Sequence, residues 1–201
     1  TLSFELSLFN HRVIVNSGVS LYGGLLANHL SDPERQRQRG TAAHSTITID
    51  RMDSSEVWGA FRLARRAGIV SFNKSINKNN IIVSASHNGY QRLYGKPIHT
   101  REWKYSERTL LITDNISGVG EHNIEAIFPF HPDVELINIE EEKLICGIFG
   151  NEFQVEFDGI GNLILKESTY HPEYGVSIDN KHLVFQSISQ LPFKLITRIL
   201  W

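Results

Sequence analysis

Apolar and polar residues alternate along most of this chain. In "LSFELSLF", Leu2, Phe4, Leu6 and Leu8 share one face, and Ser3, Glu5 and Ser7 the other. A period of two is the signature of a half-buried strand. A tight turn at Asn10 leads into "HRVIVNSG", which ends at Gly18. Further strand-like runs follow: "AHSTITID", "VSF", "IIVSASH", "HTREWKYS", "TLLITDNI", "NIEAIFPF", "VELINI", "KLICGIF", "FQVEFDG", "NLILKES", "HLVFQSIS" and "FKLITRIL". Turn signals such as Asn88-Gly89, Asp158-Gly159 and Gly161-Asn162 separate them.

Two stretches break the pattern. "VSLYGGLLANHLSDPERQRQRG" is glycine-containing and then very polar, and reads as a long loop. "EVWGAFRLARRAG" fits an amphipathic helix or a strand with Val57, Phe61 and Leu63 inward. Gly59 weakens the helix, and the surrounding strands favour the second reading. Many short strands with little helix predict an all-β fold, an antiparallel multi-stranded β-sandwich of stacked sheets. Neither a repeat nor a linker divides it, so residues 1–201 read as a single domain.

Composition narrows the function classes. At 41% hydrophobic and 21% charged residues the chain is ordinary globular material. A net charge of −2 argues against a general nucleic-acid binder. No apolar run approaches the roughly 20 residues of a membrane span. Cys146 is the only cysteine, which excludes an internal disulfide and fits a reducing compartment without excluding the periplasm. The chain opens within a strand and its one methionine is the internal Met52, so it reads as a fragment of a longer protein.

Candidate chemistry is sparse. None of the nine histidines sits at a strong zinc spacing, and hydrolase, dinucleotide and cysteine-nucleophile motifs are missing. "AHSTITID" puts Ile47 and Ile49 toward a core and His44, Thr46, Thr48 and Asp50 away from it. His44 therefore faces solvent, a cleft or a site. Arg35, Arg37 and Arg39 in "SDPERQRQRG" carry guanidinium forks suited to carboxylate or sulfate, or simply line a solvated loop. In "HTREWKY", alternation places His99, Arg101, Trp103 and Tyr105 on one face. Cations beside aromatic rings suit an acidic sugar; an exposed face with cross-strand pairing is the plainer reading.

Taken together and in order, several of these segments resemble the C-terminal β domain of the heparinase II/III-like polysaccharide lyases. They are "TLSFELSLFNHRVIVNSGVSLYG", "RGTAAHSTITID" with "SSEVWGAFRLARRA", "HNGY", "IHTREWKY", "LLITDNISGVGEHNIEAIFPFHP" and the closing "YHPEYG" and "LPFKLITRILW". The resemblance implies an α/α toroid, absent from this chain, preceding a stack of antiparallel sheets. It also implies cleavage of an acidic polysaccharide by β-elimination. A base removes the proton beside a uronate carboxylate, an acid protonates the leaving oxygen, and the carboxylate charge is neutralised first.

The resemblance places the toroid's tyrosine and its Asn or His outside this chain. It also places outside it a His/Asp-rich motif carrying the β-domain catalytic histidine, so no catalytic residue is expected here. His44 corresponds to a histidine that helps bind a metal, zinc, near the interface with the toroid, its partners lying in that missing motif. Here "HST" stands in place of the commoner "HNT". The expected substrate contacts are Arg39, Trp58, His99 and Arg101, the expected partners an acidic polysaccharide and the chain's own toroid, and the expected location the periplasm, with the cytoplasm as alternative. A non-catalytic glycan-binding or structural β-sandwich is the rival reading.

Overall fold

The computed structural model describes residues 1–22, 33–58, 61–78 and 80–201. Its strands are β1 (Leu6–Leu8), β2 (His11–Ile14), β3 (Ile47–Ile49), β4 (Glu56–Trp58), β5 (Arg62–Ala64), β6 (Ile69–Ile76), β7 (Ile81–His87) and β8 (Ile98–Ser106). They continue with β9 (Thr109–Ser117), β10 (Glu121–Pro129), β11 (Glu135–Ile139), β12 (Lys143–Ile148), β13 (Asn151–Asp158), β14 (Asn162–Tyr170), β15 (Ile178–Gln190) and β16 (Phe193–Leu200). The all-β expectation holds.

Two antiparallel sheets of unequal width form the layers. The larger runs β11-β12-β13-β16-β9-β8-β7-β6 and the smaller β14-β15-β10-β3. β1–β2 and β4–β5 are separate hairpins. The layers meet through alternate side chains. Ile112, Ile116, Val155, Phe157, Leu195 and Ile199 from the larger sheet face Ile47, Ile49, Ile124, Phe128, Leu183 and Phe185 from the smaller. Phe157 bridges them directly, edge-on to Phe128 at 5.6 Å and stacked on Phe185 at 5.5 Å. At the far edge of the larger sheet, all eight residues of β6 are exposed, because no strand of the smaller sheet reaches over them.

Local chemistry accounts for the turns. Phe9 and Asn10 adopt φ of 52° and 65°, the doubly left-handed turn that joins β1 to β2. Asn88-Gly89 instead opens the longer connection 88–97, in which the Gly89 amide donates to His87 Nδ1 at 3.1 Å.

Two expectations are corrected. The polar end of the expected loop is a helix, α1 (Pro33–Arg39). Proline at its first position, Glu34 in the first turn and Arg37 and Arg39 in the last suit the helix dipole. The segment has no apolar periodicity, so its helix signals are the proline start and the charge placement alone. Residues 23–32 of that stretch lie outside the described residues. "EVWGAFRLARRAG" is neither one helix nor one strand: β4 and β5 pair within it, Trp58 opposite Arg62, and Phe61 points outward. Gly59 and Ala60 between them lie outside the described residues.

Candidate functional site

His44 stands where a short 3-10 turn (Thr41–Ala43) passes into β3. His44 itself lies in a bend three residues before β3 and is half-buried, so the strand alternation that buries Ile47 and Ile49 does not reach it. Thr48, which alternates with those isoleucines on β3, is also buried, so that face of the strand is covered rather than open.

The neighbours of His44 fix its tautomer. Asn16 Nδ2 donates to Glu5 Oε1 at 2.7 Å, and an ionised carboxylate only accepts. Asn16 therefore turns its Oδ1 toward His44 Nδ1, 3.0 Å away, and Nδ1 must carry the hydrogen. The lone pair is left on Nε2, the atom available to a metal, a proton or a sugar hydroxyl. Burial pushes the His44 pKa down, favouring this neutral ring. Glu5 is held on its other oxygen by Arg12 Nη2 at 2.8 Å, and Arg12 Nη1 donates to the Tyr170 hydroxyl at 2.8 Å.

The described residues do not complete a metal site around His44. The group on Nδ1 is a neutral amide, and the nearby Glu5 carboxylate is committed to Arg12 and Asn16. Among the described residues, no group of three His, Cys, Asp or Glu side chains is placed to hold an ion. A structural zinc centre uses four ligands.

His99 and Arg101 do share a face of β8, but the register turns that face inward, and both residues are 0% exposed. The expectation of a sugar-facing pair is corrected on this point. Asp114, cross-strand from Arg101 on β9, is the reason. Arg101 Nε reaches Asp114 Oδ1 at 2.7 Å and Nη2 reaches Oδ2 at 2.9 Å. Arg101 Nη1 donates to the carbonyls of Ser45, at 2.6 Å, and Leu2, at 3.1 Å. One buried guanidinium thus ties the larger sheet to the backbone beside His44.

A second chain of hydrogen bonds ends on the same carboxylate. Gly89 N–H donates to His87 Nδ1, so His87 Nε2 carries the hydrogen and donates to His99 Nδ1 at 3.2 Å. His99 Nε2–H then donates to Asp114 Oδ1 at 2.6 Å. Both imidazoles are satisfied while neutral. Burial lowers the His87 pKa to about 3 and also lowers that of His99, against the pull of Asp114. Burial pushes Asp114 up, but Arg101 and His99 outweigh it and hold the carboxyl at about 2.

Arg39 and Trp58 are brought to one corner. Arg39 Nη2 donates to the Arg62 carbonyl at 3.3 Å, and the Arg62 guanidinium lies 4.8 Å above the Trp58 ring, which is half-exposed. Beside them, α1 meets the end of β14: Arg37 donates to Ser168 Oγ, to Thr169 Oγ1 and, as a two-point fork, to Glu34. The Arg37 hydrogen bond chiefly holds Glu34 down at about 2. His171 joins the cluster through Nε2, 3.1 Å from Glu34 Oε1.

Sequence reasoning missed Asn16, His87 and Asp114. Asp114 alone had a legible signal: a lone acid in "LLITDNI", on the same face as Ile112 and Ile116, requires a buried cation.

Comparison with known proteins adds the following. A family model described as heparinase II/III-like, C-terminal, matches residues 1–195. No curated protein matches the sequence significantly. Among solved structures, heparan sulfate lyase HepC from Pedobacter heparinus superposes with a TM-score of 0.79 at 16% identity, over 99% of this chain and 30% of that one. A heparinase III superposes with a TM-score of 0.74 at 17% identity, over 98% of this chain and 29% of that one. A 4-α-glucanotransferase from Thermococcus litoralis reaches 0.51 at 5% identity, over 78% of this chain and 27% of that one. At these identities the superpositions speak for fold alone. The chain spans about 30% of the length of the lyases it matches.

Proposed function

We propose, from the premise that this chain belongs to the heparinase II/III-like C-terminal family, that it is the β domain of a polysaccharide lyase. The parent protein cleaves a uronic-acid-containing glycan by β-elimination. The observation that carries this reading is the family match over residues 1–195.

In this reading the chain supports the reaction without performing it. The proton-transferring groups and the group that neutralises the uronate carboxylate come from the larger part of the protein, against which this domain packs. His44 offers its Nε2 lone pair at the edge of the smaller sheet, oriented by Asn16 and backed by the Arg101 link to Ser45. A zinc ion at His44 belongs to the proposal only with further ligands from outside the described residues.

The test is the absorbance of unsaturated uronate, followed with the full-length protein on a panel of acidic polysaccharides. The 201-residue chain and a full-length His44→Ala variant run beside it. We expect a rise with the full-length protein, none with the chain alone, and a reduced rate for His44→Ala. A full-length protein that binds acidic glycan and yields no unsaturated product would favour the non-catalytic binding domain instead.

A further inference from the structure

The two outer edges of the larger sheet are built differently. At one edge, β11 is short, begins at Glu135 and is followed by Glu140, Glu141 and Glu142. Charge of this kind keeps a strand edge from pairing with another chain. At the other edge, β6 is eight residues long, holds no proline and is exposed throughout. Val70, Phe72 and Ile76 are 57%, 62% and 62% exposed. Lys74 is the one Lys, Arg, Asp or Glu on β6 and its neighbour β7. A long, exposed, apolar edge strand is a template for pairing.

The backbone of β6 determines which groups can pair. Asn77 N–H donates to the Asn80 carbonyl at 2.8 Å, and Asn80 N–H to the Asn77 carbonyl at 3.4 Å. In an antiparallel ladder such doubly bonded pairs alternate with unbonded ones. Counted back along the register, the bonded pairs are Ser75–Ile82, Asn73–Ser84 and Ser71–Ser86. Phe72, Lys74 and Ile76 therefore turn their N–H and C=O groups away from β7, toward solvent. The bulge between Ile69 and Ser71 ends this regular pattern.

We infer that β6 pairs with β6 of a second copy of this chain, antiparallel about a two-fold axis through Asn73, joining the two larger sheets into one. Outward groups must meet outward groups, so the axis passes through a residue rather than between two. An axis through Lys74 would set that lysine against its own copy, a destabilising like-charge pair. An axis through Phe72 leaves Ile76 beyond the end of the other copy's β6. Axes further along in either direction shorten the overlap. The axis through Asn73 avoids all of this. Phe72 then exchanges hydrogen bonds with Lys74 of the other copy, twice by symmetry, and the cation lies beside the ring. Val70 falls opposite Ile76, Ser71 opposite Ser75, and Asn73 opposite itself. The segment "VSFNKSI" accordingly reads apolar, Ser, x, Asn, x, Ser, apolar in both directions. Such a surface is self-complementary, as a two-fold dimer requires. The inference does not depend on the reaction of the parent protein.

Sedimentation equilibrium of the full-length protein over a range of concentrations tests this, with the 201-residue chain beside it. We expect monomers at low concentration, dimers at high concentration and no larger species. In the dilute monomer the outward amides of Phe72, Lys74 and Ile76 meet only water, and their exchange should slow as concentration rises. Phe72→Lys sets like charges against Lys74 of the other copy and should weaken association about tenfold. Phe72→Glu sets opposite charges there and should retain the dimer. Lys74→Pro removes an outward N–H only, so it should abolish the dimer with the melting temperature nearly unchanged. Asn73→Cys should cross-link on oxidation, since the axis brings its two copies together as a closely spaced pair. Ser75→Cys should cross-link only when mixed with Ser71→Cys. Cys146 is buried and does not compete. A full-length protein that stays monomeric overturns the inference; pairing of the 201-residue chain alone would then mean that the rest of the protein covers β6. A dimer indifferent to Phe72→Lys and Lys74→Pro overturns it in favour of another surface. Cross-linking by Ser75→Cys alone, without any by Asn73→Cys, overturns the register.

Discussion

Arg101 and Asp114 face each other across β8 and β9 as a two-point ion pair with no solvent exposure on either side chain, at 2.7 and 2.9 Å. Removing one partner of such a pair leaves an uncompensated charge in the interior. Asp114→Ala and Arg101→Met should therefore each destabilise the fold by about 3–5 kcal/mol. Urea denaturation measures both. The double variant Arg101→Met with Asp114→Leu should cost less than the two single changes added together, because it removes both charges. Strict additivity would mean that the pair does not act as a unit.

The buried imidazoles set an acid limit on stability. Burial holds His182 at about 4, helped by the nearby charges of Arg37, Lys166 and His44, and holds His87 at about 3, against an ordinary value of 6.5. Below pH 6.5 the unfolded chain takes up protons on these residues while the folded chain does not. Stability must then fall as pH drops from about 6.5 toward 4 and 3, by up to about 1.4 kcal/mol per pH unit for each histidine. Asp114 adds to this at the bottom of the range: its contribution is present above 3.8 and lost toward 2. Denaturation midpoints taken from pH 7 to pH 4 check the slope. His182→Gln should flatten it, and a flat wild-type profile would contradict the burial argument.

The hydrogen-bond chains assign different tautomers to different histidines. His44 should carry its hydrogen on Nδ1, whereas His87 and His99 should carry theirs on Nε2. Long-range nitrogen–proton correlation spectra distinguish the two forms. Asn16→Ala should leave His87 and His99 unchanged and mix the tautomers of His44. An Nε2–H form for His44 in the wild type would refute the orientation deduced from Glu5.

Gly18 adopts φ of 74° and bridges to His171, and a Cβ built on it would collide with the His171 carbonyl oxygen. Gly18→Ala should cost about 1–3 kcal/mol from backbone conformation alone, with the collision added. Chemical-shift changes should centre on the bridge and on the Arg37–Glu34–His171 cluster. Thermal melting gives the first reading, and an unshifted midpoint would show that the segment after β2 relaxes freely.

Period-two alternation made the strands and the core residues Ile47, Ile49 and Ile112 legible, because side-chain direction in a strand follows directly from position. It also put His99 and Arg101 correctly on one face. It did not say which face was the inner one. That depends on Asp114, a partner on the next strand, and register between strands is not written in either strand alone. The helix α1 escaped notice for a different reason: its stability comes from charge placement and from contacts with Ser168, Thr169 and His171, not from an apolar stripe. Tyr22 stacks on both Phe61 and Tyr174, and these rings come from three distant segments, so no window of sequence contains the group.

The mismatch in width between the two sheets gives the molecule a direction in which it loosens. Strands β9, β16 and β13 lie over the smaller sheet, and their amides open only when the sandwich comes apart. β6 has a strand on one side only and solvent around every side chain, including Val70, Phe72 and Ile76. Its hydrogen bonds are guarded by β7 alone. Amide exchange should therefore run as a gradient across the larger sheet, fastest at β6, slower at β7 and slowest at β9 and β16. The edge can fray while the Arg101–Asp114 pair, on β8 and β9 two and three strands further in, stays closed.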